Sequence, residues 1–351
     1  MTNRLVSAVI GALMMIMASP ANAQPVAVTP GTITAAEWSA FKNSFVEGTG
    51  RVVDTGNGGI SHSEGQGYGL LLAFLANSAP DFDQIWSFTK TELLLRDDGL
   101  AAWRWEPGKT PHVSDPNNAS DGDVLIAYAL SLAGEAWQRA DLAAAAQGLI
   151  AAIGREVVIP LNSSITLLPA ANGFGRDDRP DGPVVNPSYW VFEAFTRFAS
   201  QDKATDWKAL ARAGQALVKN ARFSERQLPP EWVSLKQRPT PAEGFAVEFG
   251  YNAIRIPLYL LRAGIDDPAL LRPFAEDAGG AGLSLVDLKT GRTHTTLTDP
   301  GYRIIPALVA CVLDGTALPE DLLEFTPTAY YPSTLHLLSL AHLRALPGGC
   351  A

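Results

Sequence analysis

Cysteine is scarce: the 351-residue chain has two, Cys311 and Cys350. They cannot form a Cys-rich metal site. Either they pair, tying the last residues back to a late helix, or they stand free. The five histidines, at 62, 112, 294, 336 and 342, show no ligand pattern such as HExxH. No metal and no cofactor is therefore expected. Positive charge is also short: 27 Lys and Arg face 36 Asp and Glu, a net charge of −9. That balance argues against nucleic acid or an anionic membrane as partner, while a neutral ligand is compatible with it. Strands alternating with helices are missing, which disfavours a βαβ sheet. No short internal period is present.

Long apolar runs are nearly absent too. The one candidate, Leu5 to Ala18, follows Met1-Thr2-Asn3-Arg4 and precedes Pro20-Ala21-Asn22-Ala23-Gln24. This is a basic n-region, a short h-region and an Ala-x-Ala cleavage site. The run is short for a membrane span. Cleavage after Ala23 and export to the periplasm or the medium are expected, with a retained anchor as the alternative. Loss of Arg4 takes the net charge to −10, and about 328 residues remain, enough for one large domain or two small ones. No stable membrane insertion of that product is expected.

Asp54 to Gly69 packs six glycines around His62, Glu64 and Tyr68, and the apolar run Leu70–Ala76 follows. Glycine at this density reads as a loop entering a helix. A carboxylate held at such a junction suits a general acid. In the alternative, Ser61 or Ser63 caps the helix and Glu64 only favours its dipole.

Further along, Thr34-Ala35-Ala36-Glu37 reads as a capping box, and Trp38, Phe41 and Phe45 fall on one helical face. Trp103 and Trp105 are two apart; if extended, they share a face and offer a flat platform to a sugar chain, and otherwise they anchor the core. Ser120 or Asp121 is a candidate N-cap for a helix running to Trp137. Asp121 and Asp123 cannot share a helical face, so one can aim at a cleft while the other braces backbone. Gly173–Gly182 is a dense charged loop, and 279–291 reads as glycine-rich and loose. Helical runs over 302–313 and 334–346 can close a ring, the latter capped by Tyr330-Tyr331-Pro332-Ser333. Eleven or twelve helical candidates emerge.

The stretch SEGQGYG at 63–69 and ASDGDVLIAYALSLAGEAW at 119–137 resemble glycoside hydrolase family 8, in particular the periplasmic endoglucanases encoded with bacterial cellulose synthase. Asn186-Pro187-Ser188-Tyr189 and Tyr251-Asn252-Ala253-Ile254-Arg255 are similar to further family segments. The resemblance implies an all-α (α/α)6 barrel of six inner and six outer helices, formed by residues 24–351 as one catalytic domain. It also implies inverting hydrolysis of β-1,4-glucan. Glu64 is then the acid, and Asp121 grips the sugar at the cleavage point. Asp123 stands behind it. Trp103, Trp105, Tyr189, Tyr251, Asn252 and Arg255 position substrate or water.

Inversion needs an acid and a base on opposite faces of the sugar. In many relatives the base is the Asp of Tyr-Asp-Ala-Ile-Arg, and here that position holds Asn252. An amide can orient water but cannot take its proton. Candidate substitutes are Asp121, Asp177, Asp178, Asp181 and Glu248. Three functions follow: a monomeric exported endoglucanase with a functional link to a cellulose synthase complex; a relative acting on xylan, chitosan or mixed-linkage glucan; or a glucan binder that has lost its base.

Overall fold

The computed structural model describes residues 28–278, 282–346 and 349–350. The leader expected over residues 1–23 lies outside them. Helix α1 (Ala35–Phe45) starts on the capping box: Thr34 Oγ1 accepts from the Glu37 amide at 3.2 Å, and the Glu37 carboxylate accepts from the Thr34 amide at 2.8 Å. There follow β1 (Ser61–His62), α2 (Ser63–Leu75), α3 (Ala79–Glu92), β2 (Arg104–Trp105), α4 (Ser120–Ala136) and α5 (Ala140–Glu156). The hairpin β3 (Val158–Leu161) and β4 (Ser164–Leu167) leads to β5 (Val184–Val185), α6 (Phe192–Gln201) and α7 (Trp207–Asn220). Next are β6 (Val233–Ser234), β7 (Thr240–Pro241), β8 (Glu248–Phe249), α8 (Ile256–Arg262) and α9 (Pro268–Ala278). The described chain ends with β9 (Ser284–Asp287), β10 (Thr293–Thr296), α10 (Pro300–Asp314) and α11 (Tyr330–Ala345).

Burial sorts the helices into two shells. α2, α4 and α11 are buried on nearly every side and α8 on all, whereas α1, α3, α5 and α7 bury only a stripe. Packing runs from α2 to α4, α6, α8, α10 and α11, then back to α2, closing an inner ring of six. The other five α-helices among the described residues lie outside it. Between α10 and α11, the described chain returns through 315–329 with only a 3-10 turn, Glu320–Leu322. His336 Nε2 of α11 donates to the Leu322 carbonyl at 2.8 Å and fastens this return to the ring.

The glycine-rich stretch is a turn over Asp54–Ile60, as a loop reading expects, but the helix begins earlier than Leu70: Ser63–Gly69 forms the first two turns of α2, and Gly65, Gly67 and Gly69 are buried. Close approach is the reason. A Cβ on Gly67 would stand 2.6 Å from Leu125 Cβ, and one on Gly122 would stand 2.1 Å from Ser63 Oγ. The glycines let α2 and α4 touch nearly backbone to backbone. Gly301 serves α10 in the same way, where a Cβ would meet the Pro332 carbonyl at 1.8 Å.

Short antiparallel sheets brace the segments that enter the inner helices. β1 pairs with β2, β5 with β6 and then β7, and β8 with β9 and then β10. The region read as loose thus holds a hairpin, because Leu283, Val286 and Leu288 are buried between its glycines. Cys311 of α10 and Cys350 form a disulfide, with Cα atoms 5.8 Å apart.

Gly122→Ala is expected to lower stability by about 1–3 kcal/mol, as overpacking does, despite alanine's better helix propensity. Thermal melts of variant and wild type check this; an unchanged melting temperature would show that the two helices have room to spare.

Candidate active site

The N-terminal ends of all six inner helices meet around one cleft of about 590 Å³. Glu64 stands in the first turn of α2 and Asp121 in that of α4. Tyr189 precedes α6, Asn252 and Arg255 precede α8, Asp299 and Tyr302 open α10, and Tyr330 and Tyr331 open α11. Helix N-termini carry partial positive charge, so this ring favours carboxylates in first turns.

Arg255 is fully buried and joins the two acids. Its Nη2 lies 2.5 Å from Asp121 Oδ2, and its Nη1 lies 2.8 Å from Glu64 Oε2, though the latter is not aligned as a hydrogen bond. Nε donates to the Ser188 carbonyl at 3.1 Å, and the guanidinium sits over the Tyr189 and Tyr259 rings at 5.6 and 5.8 Å.

Two carboxyls and one guanidinium leave an excess negative charge in a buried place, so the pair tends to keep one proton. Burial pushes the Asp121 carboxyl up to about 7, with Arg255 opposing and the Glu64 charge adding to the rise. Burial acts on Glu64 too, but Arg255 opposes it most strongly and that carboxyl is held below its usual range. The two carboxyls also act on each other directly, which lowers Glu64 and raises Asp121.

Neither Ser61 nor Ser63 caps α2. His62 does: its Nδ1 accepts from the Gly65 amide at 2.9 Å, while Nε2 faces Asp54 Oδ2 at 3.2 Å. An accepting Nδ1 places the ring proton on Nε2, towards Asp54. Likewise α4 is capped by neither Ser120 nor Asp121: Ala119 occupies the N-cap without a side-chain bond, and Asp121 is left facing the cleft. Asp123 points away. It accepts from the Ala101 amide and from Asn118 Nδ2, both at 2.8 Å, and Asn118 Oδ1 accepts from the Ala171 amide at 2.7 Å. Two separated segments are thereby pinned to the start of α4. Burial pushes the Asp123 carboxyl up to about 7 against these donors.

Trp103 and Trp105 do not form one platform. Trp103 lines the cleft, with its Nε1 held by Asp115 at 2.8 Å. Trp105 turns to the opposite side and packs between His112, stacked at 4.2 Å, and Arg51 at 4.9 Å. The chain bends at Trp103, and only Arg104–Trp105 is strand, so the alternation of extended chain does not apply. Tyr251 lies at the cleft and is 51% exposed. Ser333 does not cap α11; its Oγ accepts from the Thr328 amide instead.

Of the substitute carboxylates, Asp121 alone lines the cleft. Asp177 is exposed on its loop. Asp178 holds the Gly173 and Gly175 amides. Asp181 accepts from Arg179 and the Glu243 amide. Glu248 pairs with Asp287 in the β8–β9 ladder. The cleft contains two other carboxylates, Asp54 and Asp299, and the rings of Tyr302, Tyr330 and Tyr331. Asp54 and His62 belong to the stretch around Glu64, so proximity in sequence was a signal. Asp299 carries no local mark.

Residues 8–343 match the family described as glycosyl hydrolases family 8. A "Probable endoglucanase" of Novacetimonas hansenii is 34% identical over 311 residues, covering 87% of this chain and 89% of that protein. The endo-beta-1,4-glucanase CMCax from Acetobacter xylinum superimposes with a TM-score of 0.78 at 34% identity, over 91% of this chain and 98% of that one. Endoglucanase Cel10 from Klebsiella pneumoniae does so with a TM-score of 0.78 at 30% identity, over 88% and 99%. By sequence and by fold, the chain belongs to glycosyl hydrolase family 8.

Proposed function

We propose that this glycosyl hydrolase is an exported, monomeric, inverting endo-β-1,4-glucanase. The observation that carries the reading is the Glu64–Arg255–Asp121 cluster on the floor of an open cleft, with Trp103, Tyr189 and Tyr251 along its walls. An open cleft accepts a polymer in mid-chain, and aromatic faces suit sugar rings. The names of the relatives point the same way. Export is supported by the leader pattern and by the disulfide, which belongs to oxidising compartments. A role beside cellulose synthase rests on the sequence resemblance. Four cleft carboxylates against one arginine also favour cationic chitosan as a second substrate. Reducing-end release from a panel of cellulose, xylan, mixed-linkage glucan and chitosan separates these, and binding without release identifies a glucan-binding protein.

In this reading Glu64 protonates the leaving oxygen, drawing on the proton it shares with Asp121. Asp121 grips the sugar at the cleavage point. Arg255 keeps the two acids in place and stabilises whichever is ionised. Asp123 acts at a distance, by fixing the segments that meet at α4.

Glu64→Gln is expected to abolish nearly all turnover on carboxymethylcellulose at an unchanged melting temperature; near-wild-type turnover in the folded variant sinks the acid assignment. Asp121→Asn should lower kcat by at least roughly 10²-fold, because interactions made only in the transition state act on kcat. Asp123→Asn should lower the melting temperature more than kcat; equal losses of both kinds in the two variants would leave only a structural role for Asp121. The alkaline limb of the kcat/KM profile should turn near pH 7, where the acid pair loses its shared proton. A profile flat to pH 9 contradicts this.

A further inference from the structure

Asn252 stands where the resemblance puts a base, and a carboxylate lies directly behind it. The Asn252 backbone N–H donates to Glu231 Oε1 at 2.7 Å, which sets its side-chain amide beside the same carboxylate. A Cβ on Gly250 would lie 2.4 Å from Glu231 Oε1, so the turn before Asn252 leaves room for this oxygen. An ionised carboxylate can only accept, so Asn252 must turn its Nδ2 towards Glu231. The other end of the planar amide, Oδ1, is then left free to accept, and Asn252 lines the cleft.

We propose that Glu231 is the final acceptor of the attacking water's proton, reached through the Asn252 amide. The proposal deepens the hydrolase reading and rests on it. The water hydrogen-bonds Oδ1. As its oxygen bonds to the anomeric carbon, the glycosidic C–O bond breaks and Glu64 gives its proton to the leaving oxygen. The water's proton passes to Oδ1 while the Nδ2 proton passes to Glu231. Asn252 becomes an imidic acid and Glu231 a neutral carboxyl. After product leaves, Glu231 returns its proton to Nδ2, Oδ1 releases its own to solvent, and Glu64 is reprotonated. No oxidant, reductant or further reactant enters. An amide cannot keep a proton, but it can pass one on when a base waits on its nitrogen. Burial pushes the Glu231 carboxyl above its ordinary range, which makes its anion a stronger base than a surface carboxylate. The cleft's own carboxylates are otherwise engaged: Glu64 and Asp121 by Arg255, and Asp54 by His62 and the Gly56 amide. Asp299 is the rival, since it opens α10 without a side-chain capping bond.

The test is a set of full-length variants assayed on soluble β-1,4-glucan with melting temperatures alongside: wild type, Glu231→Gln, Asn252→Asp, the double variant and Asp299→Asn. Glu231→Gln should lose roughly 10²–10⁴-fold in kcat, the worth of general-base assistance, with KM changed by less than about threefold. Asn252→Asp supplies a base in place. It should restore activity to the Glu231→Gln background. A Glu231 that merely supports the turn would not be bypassed in this way. The acidic limb of kcat/KM should lie lower in the double variant than in wild type, because a cleft-lining aspartate replaces a half-buried glutamate whose carboxyl is held above its ordinary range. Wild-type kcat in Glu231→Gln, a double variant no better than Glu231→Gln, or a loss confined to Asp299→Asn overturns the proposal. So does an inert wild type that Asn252→Asp makes active, which leaves the hydrolase site standing. Failure of both wild type and Asn252→Asp to hydrolyse any glucan removes the hydrolase reading as well.

Discussion

Arg255 reaches from the turn before α8 to carboxylates on α2 and α4, and the ends of three inner helices converge on its guanidinium. None of the three charges is well solvated. Without the arginine, two acids would lie buried side by side, each raising the other's affinity for a proton. Without either acid, a buried cation would lose a principal counterion; breaking such a pair typically costs about 3–5 kcal/mol. Ser188 and two tyrosine rings complete the guanidinium's surroundings, so the cluster cannot relax by moving aside. This rigidity sets the chemistry. The carboxyls share one proton because one cation cannot neutralise both.

Glu64 and Asp121 were legible because each stands in a motif at a helix start, and Asp123 because two residues on a helix turn a side chain by about 200°. The start of α2 was misread for a physical reason: glycine marks both mobile turns and places where backbones touch, and the sequence alone does not separate the two. Only the facing Leu125 and Ser63 reveal which applies. The Trp103–Trp105 platform failed because alternation needs extended chain, and here the extended piece is two residues long.

The base was the least legible part. The charged loop at 173–182 drew attention through composition, yet its acids are occupied with amides and arginines. Glu231 lies in an unremarkable loop, and its closeness to Asn252 depends on a backbone bond from its amide to the Glu248 carbonyl of β8, at 3.1 Å. Pairings of two or three residues leave little periodicity, so the contacts that organise a cleft can be the faintest in the sequence. The ring itself was legible as a count of helices, and the six-fold closure came with the resemblance.

The inner ring closes where α11 meets α2 and α1, and Arg344 of α11 is bound there to the Glu37 carboxylate at 2.6 and 2.8 Å. This seam joins parts of the chain about 300 positions apart. The cleft straddles it, with Glu64 on one side and Tyr330 and Tyr331 on the other. Contacts so remote in sequence are slow to form, since their loop entropy is lost before the contact rewards it. A chain emerging from the ribosome therefore holds an open arc with no enclosed cleft until α11 is made. The cleft that Glu64 shares with Tyr330 and Tyr331 is complete only when the two sides of this seam have met.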